Sequence, residues 1–302
     1  MHGQQLTRVA FFISAITAIL VLCNPLIGSA QKLRAIDVVP DEEKRSSIHE
    51  VDGYAYLSEN MTISDLRAKA FANAKRQALE MAETYIRSKT KVTDGKLAYD
   101  LVWSDAEGAV SVLEQKDLGV IDNNRYHVWI KAEVAYAIGP KPSGAPQAAL
   151  MEADAPLTVK VWSDRKNYRK GEFITLFVQG NRDFHARIVD VAADGTIIQL
   201  LPNDYRTLSS FKGGRVYTIP GPGDRFKLRV RAPFGREKVI VYAGEQPIGA
   251  IALEEVGSGL RSYGGTLDSL NRAVRAIEPV FSGGEPVNSE FYEAIWALET
   301  RP

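Results

Sequence analysis

Hydrophobic and polar positions repeat in two different rhythms along the chain, and the switches between them mark out the elements. Ile48 to Leu57 alternates loosely around Gly53, with Val51, Tyr54 and Tyr56 as apolar positions, and predicts a strand. From Leu66 the rhythm becomes helical: Leu66, Ala70, Ala74, Ala78 and Ala82 recur, flanked by Phe71, Leu79, Met81, Tyr85 and Ile86. Thr62 with Asp65 resembles a capping box, and no Gly or Pro interrupts before Gly95, so the spacing predicts a long helix. An alanine row of this kind lets a helix lie close against a sheet. Arg67, Lys69, Lys75, Arg76, Glu80 and Glu83 fall on its solvated side.

Val110–Ile121 and Arg125–Tyr136 then predict a hairpin about Asp122-Asn123-Asn124, residues that tolerate positive φ. The second arm places Tyr126, Val128, Ile130, Ala132, Val134 and Tyr136 on one face, with His127, Trp129, Lys131 and Glu133 on the other. Trp129 on that polar face is a candidate contact residue; the alternative is that it covers the second side of the sheet. Gly139 to Pro146 holds three prolines and two glycines and predicts a linker that runs on to Pro156.

Beyond it the rhythm is almost entirely that of short strands. Leu157–Trp162, Glu172–Gly180, Phe184–Ala192, Thr196–Leu201, Arg215–Ile219, Arg225–Ala232 and Glu237–Ala243 are separated by turn residues, among them Asp194-Gly195. This pattern predicts a β-sandwich or small barrel. In the tail, Thr266–Ile277 has helical spacing, and Phe291–Leu298 fits a closing strand or a short helix with Trp296 buried against the second domain.

The first thirty residues stand apart. One positive side chain, Arg8, precedes an apolar run from Val9 to Leu22, a break at Asn24-Pro25 and the small residues Gly28-Ser29-Ala30. This is the layout of a secretory signal peptide, with cleavage expected between Ala30 and Gln31. The run is shorter than the roughly twenty residues a spanning helix needs, so a retained anchor is the weaker reading. Cys23 follows Leu22 rather than a small residue, which argues against acylation. No later segment approaches a membrane span, and the expected location is the periplasm.

Composition narrows the function by exclusion. The chain has 302 residues, 37 Lys+Arg against 37 Asp+Glu, and one Cys. Zero net charge without a polybasic patch argues against nucleic acid. The one cysteine leaves with the signal, which removes disulfides, thiolate metal sites and a catalytic thiol. No phosphate loop, dinucleotide fingerprint or nucleophile elbow occurs, and His49, His127 and His185 are not at metal-ligand spacing. No cofactor or metal site is therefore expected.

Two resemblances follow from these residues. Asp52-Gly53-Tyr54-Ala55, the Ala-rich helix 66–86, Leu97–Val102 and the hairpin together resemble the amino-terminal domain of the flagellar assembly protein T family and related bacterial envelope lipoproteins. That likeness implies helices packed on an antiparallel sheet and a role in envelope structures. The order Trp162, Tyr168-Arg-Lys-Gly171-Glu172, Asp194-Gly195, Leu201-Pro202-Asn203, Ile219-Pro220 and Pro233-Phe234-Gly235-Arg236-Glu237 resembles the bacterial domain of unknown function 4384 family. Members of that family occur in exported proteins and fused to caspase-like peptidases and protein kinases. The resemblance implies an accessory β-module and brings no catalytic residues with it.

The expected organisation is α+β: a signal at 1–30, a helix-on-antiparallel-sheet domain at 31–138, a linker at 139–156, a β-sandwich or small barrel at 157–254, and an extension at 255–302 packed on the β domain. The expected function is that of a non-enzymatic envelope adaptor or assembly factor with a protein partner. Tyr205, Arg206 and Phe211 in the loop Pro202–Phe211 are its candidate contact residues, together with Trp129. The alternatives are a glycan or peptidoglycan binder using Trp162, Tyr205, Tyr217 or Tyr242, and a hydrolase with dispersed carboxylates and His185.

Overall fold

The computed structural model describes residues 40–58, 61–89, 92–93, 96–97, 100–103, 109–122, 124–139, 150–257, 259–276 and 288–302. The expected signal with its cut at Ala30 and Gln31 lies outside these residues, as do linker positions 140–149. Among the described residues no helix is long and apolar enough to cross a membrane.

The elements run β1 (Glu42–Tyr56), α1 (Ile63–Lys89), β2 (Val92–Thr93), β3 (Lys96–Leu97), β4 (Asp100–Trp103), β5 (Val110–Ile121) and β6 (Arg125–Gly139). Next come β7 (Val159–Ser163), β8 (Asn167–Arg169), β9 (Phe173–Ile174), β10 (Leu176–Gly180), β11 (Phe184–Val191) and β12 (Ile197–Leu201). Then β13 (Ser210–Phe211), β14 (Tyr217–Ile219), β15 (Leu228–Arg229) and β16 (Arg236–Gly244) follow. The chain closes with β17 (Glu254–Gly257), β18 (Leu260–Tyr263), α2 (Leu267–Arg275) and β19 (Asn288–Arg301). The protein is α+β in class, predominantly antiparallel strand with two helices among the described residues.

The start of α1 is set locally. Thr62 Oγ1 accepts from the Asp65 amide at 3.1 Å, and Asp65 Oδ2 accepts from the Thr62 amide at 2.9 Å, so each satisfies a group the first turn leaves unpaired. The alanine row then does what its spacing implies. Leu66, Ala70, Ala74, Ala78, Ala82 and Ile86 are the buried residues of α1, and the first five share one core with Val51 and Ala55 of β1 and Val128, Ile130, Ala132 and Val134 of β6. Approach is closest at Gly53, where a Cβ would stand 2.3 Å from the Ala70 carbonyl oxygen and 2.6 Å from Ala74 Cβ.

The main sheet has twelve strands, and its path is β17-β18-β12-β11-β16-β19-β1-β6-β4, with β5, β8 and β13 attached at β6, β19 and β11. β19 lies between β16 and β1: Ile295 pairs with Glu42 on one side and Ile240 on the other, and Tyr292 pairs with Arg45 and Ala243. The closing segment is thus a strand, and it hydrogen-bonds to elements drawn from both halves of the chain. The described residues from 40 onward fall in one compact unit. Glu42 and Glu43 keep exposed side chains, and they belong to β1 because β19 supplies the pairing edge.

A three-stranded sheet, β14-β10-β7, shares the largest core with the inner faces of β11, β16 and β19. Val161, Leu176 and Val178 from the small sheet meet Ile188, Val241, Ala294 and Leu298 from the large one in that core. Trp296 is buried there, and its Nε1 donates to Ser163 Oγ at 2.8 Å. Leu270 and Val274 of α2 pack with Ile48, Ile240, Tyr242, Phe291 and Ile295, residues from the other face of the large sheet.

Where β19 begins, a group of buried charges joins the halves. Glu290 is fully buried and accepts from the Leu157 amide and from Arg182, while Glu245 pairs with Lys89 at 2.7 Å and with the Tyr85 hydroxyl. Burial pushes the Glu290 carboxyl up against the pull of Arg182. Burial opposes charge on Glu245 as well, yet Lys89, Tyr85 and Arg182 together hold it below its usual range.

Gly53→Ala is expected to destabilise the protein by about 1–3 kcal/mol, because the added methyl meets helix backbone that cannot rotate away. Urea denaturation checks this; unchanged stability would mean that α1 does not approach β1 this closely.

Candidate functional site

A cavity of about 820 Å³ is built on the loop after β12 and on the chain from Lys212 to Gly223. Asn203 fixes the loop. This buried side chain donates from Nδ2 to the Leu200 carbonyl at 2.8 Å, and its Oδ1 accepts from the amides of Tyr205 (2.9 Å) and Arg206 (2.8 Å). Asn at this position can mimic a backbone turn, which is why the chain reverses here without a glycine. Pro202, Pro220 and Pro233, the punctuating prolines of the sequence motifs, each follow a cis peptide bond.

Two ion pairs strap the loop to its surroundings. Arg206 Nη1 lies 3.2 Å from Asp224 Oδ2 and 3.3 Å from the Thr218 carbonyl, and Asp224 Oδ2 also accepts from the Gly221 amide. Lys212 Nζ meets Asp183 Oδ2 at 2.6 Å, while Asp183 Oδ1 takes the Gly213 amide at 2.9 Å. The lysine and that amide hold the exposed Asp183 carboxyl below its ordinary range, and the carboxylate raises Lys212 in turn. His185, half-buried in the cavity wall, is lowered by desolvation and stays neutral at pH 7. Leu208 and Val216 line the cavity while remaining 50% and 42% exposed.

The structure separates the four sequence candidates. Arg206 lines the cavity, with its charge committed to Asp224. Phe211 also lines it but is only 2% exposed: β13 pairs with β11, which stacks its ring on Phe184 at 5.0 Å and sets Tyr217 edge-on at 4.9 Å. It therefore holds the loop in place and offers no free surface. Tyr205 is 46% exposed, but its ring stacks on Phe226 at 6.1 Å and lies against Gly259, outside the cavity lining. Trp129 sits on β6, half-buried with Lys116 Nζ 4.4 Å over its ring, and is not part of this cavity.

Sequence reasoning missed Asp183, Leu208, Lys212, Arg215 and Val216. Gly213-Gly214 and Gly221-Pro222-Gly223 bracket most of this stretch and were the available signal for a second loop facing the first. Of the aromatic residues named for glycan binding, Trp162 and Tyr242 are buried and Tyr217 is half-buried, which leaves Tyr205 as the one exposed ring. No group of three or more His, Cys, Asp or Glu poised to hold a metal ion occurs among the described residues.

Comparison with known proteins places this site within a recognised module. Residues 167–247 match the family described as "Domain of unknown function (DUF4384)", a stretch that takes in all of the cavity lining. The match stops short of residues 31–138, so the likeness of that half to flagellar assembly protein T rests on its sequence pattern alone. No curated protein matches the chain. Among solved structures, a DUF4785 family protein from Legionella pneumophila aligns over 87% of this chain and 72% of its own, with 8% identity and a TM-score of 0.24, too low to carry the fold across.

Asn203→Ala is expected to cost about 1–3 kcal/mol, since it strips a carbonyl and two amides of their partner at once. Thermal denaturation together with hydrogen exchange across 203–206 checks it; protection unchanged in that stretch would show that other bonds fix the loop.

Proposed function

We propose that the protein is an exported, non-enzymatic envelope protein that acts as an adaptor or assembly factor, holding a protein partner in the cavity between residues 202–211 and 212–223. The signal-like segment at 1–30 supports export to the periplasm. In this reading residues 31–138 form a helix-on-sheet domain of the envelope type and residues 157–254 a β-sandwich that presents the cavity.

The observation that carries the proposal is a loop fixed in advance. Asn203, the Arg206–Asp224 pair and the Lys212–Asp183 pair hold the walls without a partner, so a ligand does not bear the ordering cost. Leu208 and Val216 give the apolar contact, and Arg215, whose guanidinium sits 5.2 Å over the Tyr217 ring, gives a cation at the rim. The matching partner is a segment with apolar side chains and a neighbouring acidic residue. The hydrolase reading has less support: His185 lies near carboxylates already committed, Asp183 to Lys212 and Glu245 to Lys89 and Tyr85. The glycan reading has less support too: of its four candidate rings, Tyr205 alone is exposed.

In-cell crosslinking of the full chain in the periplasm, followed by mass spectrometry, tests the proposal. A stoichiometric protein partner is expected, with recovery reduced at least about tenfold by Leu208→Asp combined with Val216→Asp, which removes apolar contact and places charge at the centre of the contact. Both positions are exposed, so the thermal melt of the double variant should stay unchanged. Recovery of the protein alone or with cell-wall fragments only would contradict the proposal, as would a partner indifferent to the double substitution.

A further inference from the structure

A second cavity, about 570 Å³, opens at the other end of β11 and β16. Alternation along β11 brings Asp190 onto the face of Phe184, Ala186 and Ile188, and alternation along β16 brings Glu237 onto the face of Val239 and Val241. Two carboxyl groups thus occupy inner-face positions that apolar side chains hold elsewhere on both strands. A buried carboxyl costs free energy unless it is partnered. Thr300 Oγ1 donates to Glu237 at 2.7 Å, but Asp190 Oδ1 is sealed from solvent and has no hydrogen-bond partner. Ile174, Leu200 and Leu228 contribute apolar walls, and Lys170, Lys227, Arg229 and Arg231 stand exposed around the lining. No ion pair joins those cations to Asp190 or Glu237 among the described residues.

We propose that this cavity binds an ω-amino carboxylate: an ammonium group on an apolar stem, with a carboxylate at its far end. The ammonium brings three donors to the oxygens of Asp190 and Glu237, the partner Asp190 lacks. The stem lies along Ile174, Leu200 and Leu228, and the carboxylate meets Lys227 and Arg229 at the rim. A cavity with apolar walls and a few convergent polar groups is the usual form of a small-ligand site. The site stands on residues separate from the Leu208–Val216 cavity, so its failure would leave the adaptor reading untouched.

Burial and the neighbouring Glu237 push the Asp190 carboxyl up to about 8, and burial raises Glu237 as well. Below that pH the ammonium enters as Asp190 releases its proton to solvent. The charged groups that line the cavity with Asp190 are Glu237 on β16, Lys170 between β8 and β9, Lys227 and Arg229 at β15, and Arg231 beyond it. Affinity should therefore rise with pH until Asp190 is ionised in the free protein, then level off.

Calorimetry on the full chain with 6-aminohexanoate as the probe tests this. The dissociation constant should fall about tenfold between about pH 6 and 7 and flatten above about 8, the signature of one proton released. Asp190→Asn should weaken binding at least about tenfold and abolish the pH dependence, and Glu237→Gln should weaken it too. Asp194→Asn, in the hairpin turn outside the cavity, should change neither. Hexylamine should bind more weakly than the probe, and hexanoate more weakly still. A peptide ending in lysine that competes with the probe would identify a polypeptide as the source, whereas binding of the free ω-amino acid without such competition would identify a small molecule. Hexanoate binding as well as 6-aminohexanoate, an Asp190→Asn variant with unchanged affinity, or no heat with any amine would each overturn the proposal.

Discussion

The last strand, β19, carries the rest of the structure because both of its edges are used. Its backbone pairs with β1 from Asn288 to Ile295 and with β16 from Phe291 to Glu299, so strands from opposite ends of the chain become neighbours through it. Its two faces are used as well. Tyr292, Ala294, Trp296 and Leu298 fill the core shared with the small sheet, while Phe291 and Ile295 lie under α2. Side chains on α2 add charge to that attachment: Arg275 reaches Glu133 of β6 at 2.7 Å and Glu293 of β19 at 3.0 Å. A strand placed this way costs long-range loop closure before any of its contacts form, and the contacts must then be many.

The buried charges at its start show what the junction has to solve. Arg45 is 4% exposed; it donates to the Leu157 carbonyl and to Thr158 Oγ1, both at 2.9 Å, and lies 4.6 Å over the Tyr292 ring. Tyr292 in turn donates to Glu43. Together with Arg182, Glu245 and Glu290, these groups tie β1, α1, β16 and the segment before β7 to one strand. Buried ion pairs add little net stability over an apolar core, but removing one partner leaves the other uncompensated, so they favour this arrangement over alternatives that would separate them. The same network reaches the candidate site, since Glu245 lines the larger cavity and Asp183, which anchors Lys212, follows Arg182 in sequence.

How much was legible in the sequence depended on how local each interaction is. The helix α1, with every alanine of its row buried, and the hairpin of β5 and β6 could be read because periodicity and turn chemistry act over a few residues. Asn203 could be read as a loop anchor for the same reason. The place of β19 could not: alternation in Phe291–Leu298 marks a strand without naming its neighbours, and those lie near residues 42 and 240. Phe211 reads as exposed beside Ser209, Ser210 and Lys212, and it is buried because the two residues of β13 pair with β11. Asp190 and Glu237 look like ordinary polar positions in their strands. Only the register that sets Asp190 beside Val239 shows them to share an inner face.

The two cavities sit at opposite ends of β11 and β16, and both depend on the sheet that β19 completes. Hydrogen exchange followed by mass spectrometry across the whole chain measures this dependence most directly. The account predicts that β1, β16 and β19 are protected to the same degree and lose protection together as denaturant is added, because the halves share one sheet. Loss of protection in residues 42–139 while β16 remains protected would contradict it, and would show two bodies that unfold independently.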